Sequence, residues 1–152
     1  MAQVGAAASL AGLLFVGVSL NMSKILALRG LPERALGALV LLVTILIIAS
    51  LELVPAQPEG VMGIEIVLIG LVAWAAATST DIKSMRATEE KYRRLYFNNA
   101  VLDQAAVVPY LIAGILIVAG HADGVYFLVP AMLFSFVKAI MEAWVLLVEI
   151  NR

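Results

Sequence analysis

Five long apolar runs, at residues 4–28, 35–54, 61–79, 101–120 and 125–150, take up most of the chain, and polar clusters separate them. A helix rises about 1.5 Å per residue, so crossing a hydrocarbon core of about 30 Å takes about 20 predominantly apolar residues. Each run is long enough. The polar clusters carry residues that end helices: Gly30 and Pro32 in the first, Pro55 and Pro58 in the second, and His121-Ala122-Asp123-Gly124 as the fourth. Proline cannot continue a helix, and glycine relieves the backbone at its end. The pattern predicts an all-α fold, a five-span transmembrane helix bundle that fills 1–152 as a single domain. The third cluster, 80–99, is its one long polar connection.

The polar residues inside the runs are the candidate chemistry. Lys138 and Glu142 lie four residues apart in the last run and therefore on one helical face. A charged side chain at that depth costs several kcal/mol unless it is paired, watered or turned toward protein, so such a pair marks a candidate site. Asn21, Asp103 and Gln104 fall at comparable depths and are the expected partners if runs one, four and five are neighbours. Two readings of this polar cluster stand side by side. As glue between helices, each hydrogen bond contributes about 0.6–2 kcal/mol and fixes the packing. As a lining, the cluster faces a water-filled cavity or a subunit interface, where it relays protons or binds an ion.

Smaller features refine the picture. Gly5, Ala8, Ser9 and Gly12 recur at spacings of three and four and make a small-sided helix-packing face that lets a neighbouring backbone approach. Thr44 is placed to bond back to its own helix. Glu65 is expected at the interface, Trp74 in packing, and Pro109 at a kink. In the 80–99 connection, Thr88 followed by Glu89 and Glu90 reads as a helix start. Arg86, Tyr92, Arg93, Arg94 and Tyr96 suit the headgroup layer, where aromatic rings anchor and basic groups meet lipid phosphate.

Composition bears this out: 63% of residues are hydrophobic and mean hydropathy is +1.03, with 14% charged, against roughly 25% in soluble domains. The net charge of −1 and the absence of a like-charge block give no footing for a nucleic-acid partner. With no cysteine and one histidine, His121, no disulfide, thiolate metal site or multi-His site is available within the chain, and neither metal nor cofactor is expected. His121 is expected as a solvated loop residue. No basic segment precedes the first run, which reads as a retained span rather than a cleaved signal. The basic residues alternate by connection: none before run one, Arg29 and Arg34 after it, none in the second connection, five in the third, none in the fourth, and Arg152 at the end. By the positive-inside rule the N-terminus lies outside and the C-terminus in the cytoplasm. No Walker A, GxGxxG, HExxH or GxSxG pattern occurs, and Asp81, Asp103 and Glu142 are not fixed by spacing as a facing acid pair. The expectation is a protein that is not an enzyme.

The opening Ala2-Gln3-Val4-Gly5-Ala6-Ala7-Ala8, the segment Leu14-Phe15-Val16-Gly17-Val18-Ser19-Leu20-Asn21 and the closing Glu142-Ala143-Trp144-Val145-Leu146-Leu147-Val148-Glu149-Ile150 resemble a family of small, mostly uncharacterised bacterial multi-span membrane proteins. Some of its members carry the label of modulators of the FtsH membrane protease. The resemblance implies a protein of the bacterial cytoplasmic membrane that acts on another membrane complex, and it carries no functional residue over to this chain. The reading is therefore a non-catalytic protein working by helix-mediated association within the lipid bilayer, as a homo-oligomer or with a membrane protein partner. The alternative is an oligomeric ion or proton channel, or a small transporter, that uses Lys138 and Glu142.

Overall fold

The computed structural model describes residues 1–28, 30–87 and 93–150, without the side chains of 84, 86–87, 93–96 and 122. Its elements are α1 (Ala2–Leu20), α2 (Met22–Ala27), α3 (Leu31–Leu51), α4 (Glu59–Ala87), α5 (Arg93–Val118), a 3-10 turn (Ala122–Phe127) and α6 (Leu128–Ile150). Among the described residues there is no strand. Five helical stretches are long and apolar enough to cross a membrane: Ala2–Leu20, Leu31–Leu51, Glu59–Lys83, Phe97–Val118 and Asp123–Ile150.

The helices do not end where the apolar runs end. The first run, expected as one helix over 4–28, breaks at Asn21. The Asn21 side-chain amide donates to the Gly17 carbonyl at 3.0 Å, the acceptor its own backbone N–H would use in an unbroken helix. That N–H bonds Val18 instead, at 3.2 Å. Conversely, α3 starts at Leu31 rather than 35, with Pro32 and Glu33 in its first turn, where proline lacks no needed donor and an acid faces the positive end of the dipole. At their basic ends α4 and α5 run on to Ala87 and back to Arg93, into the stretch read as a connection. The Thr88-Glu89-Glu90 start signal lies outside the described residues.

α3, α4, α5 and α6 pack in a ring, each against the next, and α1 lies outside it against α3. Ile45, Ile48, Ile66, Val107, Tyr110, Leu128 and Met132 fill the middle. The outer surface is apolar as well, with Phe15, Leu68, Val72, Leu133, Val137 and Trp144 exposed, the pattern expected when lipid is the solvent. α4 and α5 approach each other closely. A Cβ on Gly114 would stand 2.9 Å from the Val67 backbone nitrogen, and one on Gly63 would stand 2.9 Å from that of Val118, so both positions need glycine for backbone to meet backbone. Pro109 is accommodated inside an unbroken α5. Thr44 bonds back to the Val40 carbonyl at 2.7 Å. Exposed His121 follows Gly120, whose φ of +83 ends α5 with bonds from Gly120 to Ile117 and from His121 to Leu116.

Candidate functional site: a charged network and its cavity

On α6 the buried residues Leu128, Ala131, Met132, Ser135, Lys138, Ala139, Glu142 and Leu146 recur every three or four positions. One face therefore points into the ring, and both charges lie on it. Lys138 is 3% exposed and Glu142 5%, burial that demands partners. The Lys138 ammonium donates to Asn99 Oδ1 at 2.7 Å and to Glu142 Oε1, and lies 3.3 Å from Asp103 Oδ2. Three acceptors meet the three N–H groups of an ammonium. The other Glu142 oxygen accepts from Arg34 Nη1 at 2.9 Å, and Asn99 Nδ2 donates to Asp103 at 3.2 Å. The network ties α3, α5 and α6 together at the end of the bundle nearest the basic connection.

From α4, Asp81 faces Asp103 and Gln104. Beside the network is a cavity of about 50 Å³ lined by Glu33, Arg34, Thr80, Asp81, Asn99, Asp103 and Glu142 together with apolar residues. At roughly 10–15 Å³ per water-sized centre, that is room for about four small groups. Among the described residues, Glu33 Oε2 and Asp81 Oδ2 are buried atoms without a hydrogen-bond partner, which is costly unless something donates to them. Four carboxyl side chains against Arg34 and Lys138 leave the surroundings formally negative. Hydrogen-bond donors and cationic groups are what such a lining accepts. Among the described residues, no three His, Asp or Glu are grouped to hold a metal ion.

Of the polar residues expected to meet, Asp103, Lys138 and Glu142 do so. Gln104 turns to α4, accepting from Trp74 Nε1 at 2.8 Å and donating to Thr78 at 3.2 Å, so Trp74 has a polar bond beyond packing. The Asn21 side chain is bonded within its own helix and, among the described residues, does not join the network. Glu65 accepts from Gln57 at 2.5 Å, near the start of α4. Gly5, Ala8, Ser9 and Gly12 all face outward, and α1 packs instead through Val4, Ala7, Leu10, Ala11 and Leu14. Tyr92 and the side chains of Arg86, Arg93, Arg94 and Tyr96 lie outside the described residues.

Arg34, Asn99, Asp81 and Glu33 are the members that spacing did not single out. Each lies within about a turn or two of the ends of the apolar runs, in sequence read as connection. Two signals were present: Pro32-Glu33 as a helix start, which carries Arg34 onto α3, and the four-residue spacing of Asn99 and Asp103. Comparison of the chain with protein-family models, curated proteins and solved structures gave no match.

Proposed function

We propose that this chain is a non-catalytic integral membrane protein that acts by associating, helix against helix, with a second copy of itself or with another membrane complex. The observation that carries the reading is the outward face of α1. Ala7 is the one buried residue of that helix. Gly5, Ala8, Ser9 and Gly12 are exposed, and a Cβ on Gly5 or Gly12 would meet nothing within 4 Å. Without a hydrophobic driving force in lipid, helices associate where small residues permit close backbone contact. The saturated bonding of Lys138 favours an anchoring role for the charged network over a conducting one. Towards the other end of the ring the interior is filled by Tyr110, Ser135, Met132 and Leu128. The distribution of Lys and Arg supports an N-terminus outside the cytoplasm, in a bacterial cytoplasmic membrane, and the family resemblance points to another membrane complex as partner.

The chain has no cysteine, so Ser9→Cys gives a clean reporter. Oxidation in native membranes is expected to produce a disulfide-linked dimer if the partner is a second copy, and a reagent that joins the thiol to a nearby amine is expected to give one discrete larger adduct if the partner is another protein. Gly12→Leu should abolish it while leaving the helical content unchanged. Absence of any adduct at Ser9, together with selective ion flux through liposomes that depends on Lys138, would overturn the proposal in favour of the channel reading.

A further inference from the structure

The polar cavity continues into an apolar groove. Leu36, Val40 and Ala76 line both. The groove, about 500 Å³, runs between α3 and α4 along Val43, Ile47, Leu68 and Val72. On α3 it extends from Leu36 to Ile47, which at the helical rise is about 16 Å, half the thickness of a hydrocarbon core of about 30 Å. A groove one leaflet long, open to the membrane and ending at a polar cavity, has the dimensions of a single acyl chain beneath its head group.

The head-group end has a definite chemistry. Glu33 Oε2 and Asp81 Oδ2 lack donors among the described residues. Arg34, with 26% of its side chain exposed, spends Nη1 on Glu142 and has guanidinium N–H groups to spare. Acceptors within and a cationic donor at the mouth complement a zwitterion whose ammonium enters and whose phosphate stays outside. A quaternary ammonium brings no N–H to the two orphaned oxygens. A glycerol head group leaves the negative lining unmatched.

We infer that the α3–α4 cleft binds one phospholipid of the leaflet nearest the basic connection, with the primary ammonium of its head group against Glu33 and Asp81, its phosphate against Arg34 and an acyl chain in the groove. Guanidinium and phosphate are matched in shape as well as charge. The inference is independent of the association surface on α1, no residue of which lines the cavity or the groove.

The test is native mass spectrometry of the full chain in mild detergent, with phosphatidylethanolamine, phosphatidylcholine and phosphatidylglycerol of identical acyl chains. Phosphatidylethanolamine should be retained at least tenfold more strongly than either of the others. Glu33→Gln and Asp81→Asn should each reduce that preference three- to tenfold. Val72→Trp, a change at an exposed groove position, should reduce retention of all three lipids alike. Equal retention of the three, preference for phosphatidylglycerol, or an unchanged preference in both carboxyl variants would overturn the inference. So would a dimer that Val72→Trp dissociates without altering lipid retention, since a second copy would then occupy the groove. The head-group comparison on the unaltered chain keeps the inference open to refutation even if a variant fails to fold.

Discussion

Replacing Lys138 with methionine keeps most of the side chain's length and removes its charge. The ammonium serves Asn99, Asp103 and Glu142 together, so the substitution strips a donor from three acceptors, two of them carboxyl groups. Glu142 keeps Arg34 at 2.9 Å, and Asp103 keeps the amide of Asn99. Removing one partner of a buried ion pair costs about 3–5 kcal/mol, which at about 1.4 kcal/mol per tenfold is about two to three and a half orders of magnitude in the folding equilibrium. The compensating variant is Lys138→Met with Asp103→Leu. One cation and one carboxyl disappear together, Arg34 remains matched to Glu142, and Asp81 loses its facing acid. Stability should return to within about 1–2 kcal/mol of the unaltered chain, because a buried pair replaced by apolar groups of similar volume is close to neutral. Reversible unfolding in mixed micelles or bicelles, followed by circular dichroism as a double-mutant cycle, reads both quantities. A single-variant loss under about 1 kcal/mol, or a double variant whose loss equals the sum of the singles, would refute the assignment of Lys138 as the centre of the network.

Four further outcomes are expected. Gly114→Ala should destabilise by about 1–3 kcal/mol through overpacking against the Val67 and Gly63 backbone. In the same unfolding assay Gly37→Ala, where a Cβ meets nothing within 4 Å, should be neutral or stabilise by up to about 1 kcal/mol through helix propensity. Ser135→Ala should cost about 1–3 kcal/mol because the fully buried Tyr110 hydroxyl loses its acceptor, and adding Tyr110→Phe should recover part of the loss. A cysteine at exposed Ala56 should label with a membrane-impermeant maleimide on intact cells if the N-terminus is outside, and labelling only after permeabilisation would reverse the orientation.

Run length alone predicts the five helices apolar enough to span, because a bilayer sets a minimum length and penalises polar residues within it. It also places Lys138 and Glu142 on one face, since residues four apart are neighbours whatever surrounds the helix. Helix ends were less legible. Asp81, Asn99 and Arg34 lie in polar sequence, yet the backbone keeps its helix beyond the hydrocarbon core because its hydrogen bonds do not depend on apolar side chains. Asn21 acts the other way, its short amide taking the carbonyl that would have continued the helix.

By itself, then, the sequence determined the number of candidate spans, their composition and the pairing of charges within one helix. Tertiary structure alone decided which helices surround those charges, that Gly63 and Gly114 rather than Gly5 and Gly12 form the tight contact within the chain, and that Asp81 and Glu33 border a cavity opening into a groove. The physical reason is that a helix apolar on every side does not encode its inward face. Lipid is as apolar as the core, so burial gives little preference, and the choice falls to close packing and to the few polar groups that need one another.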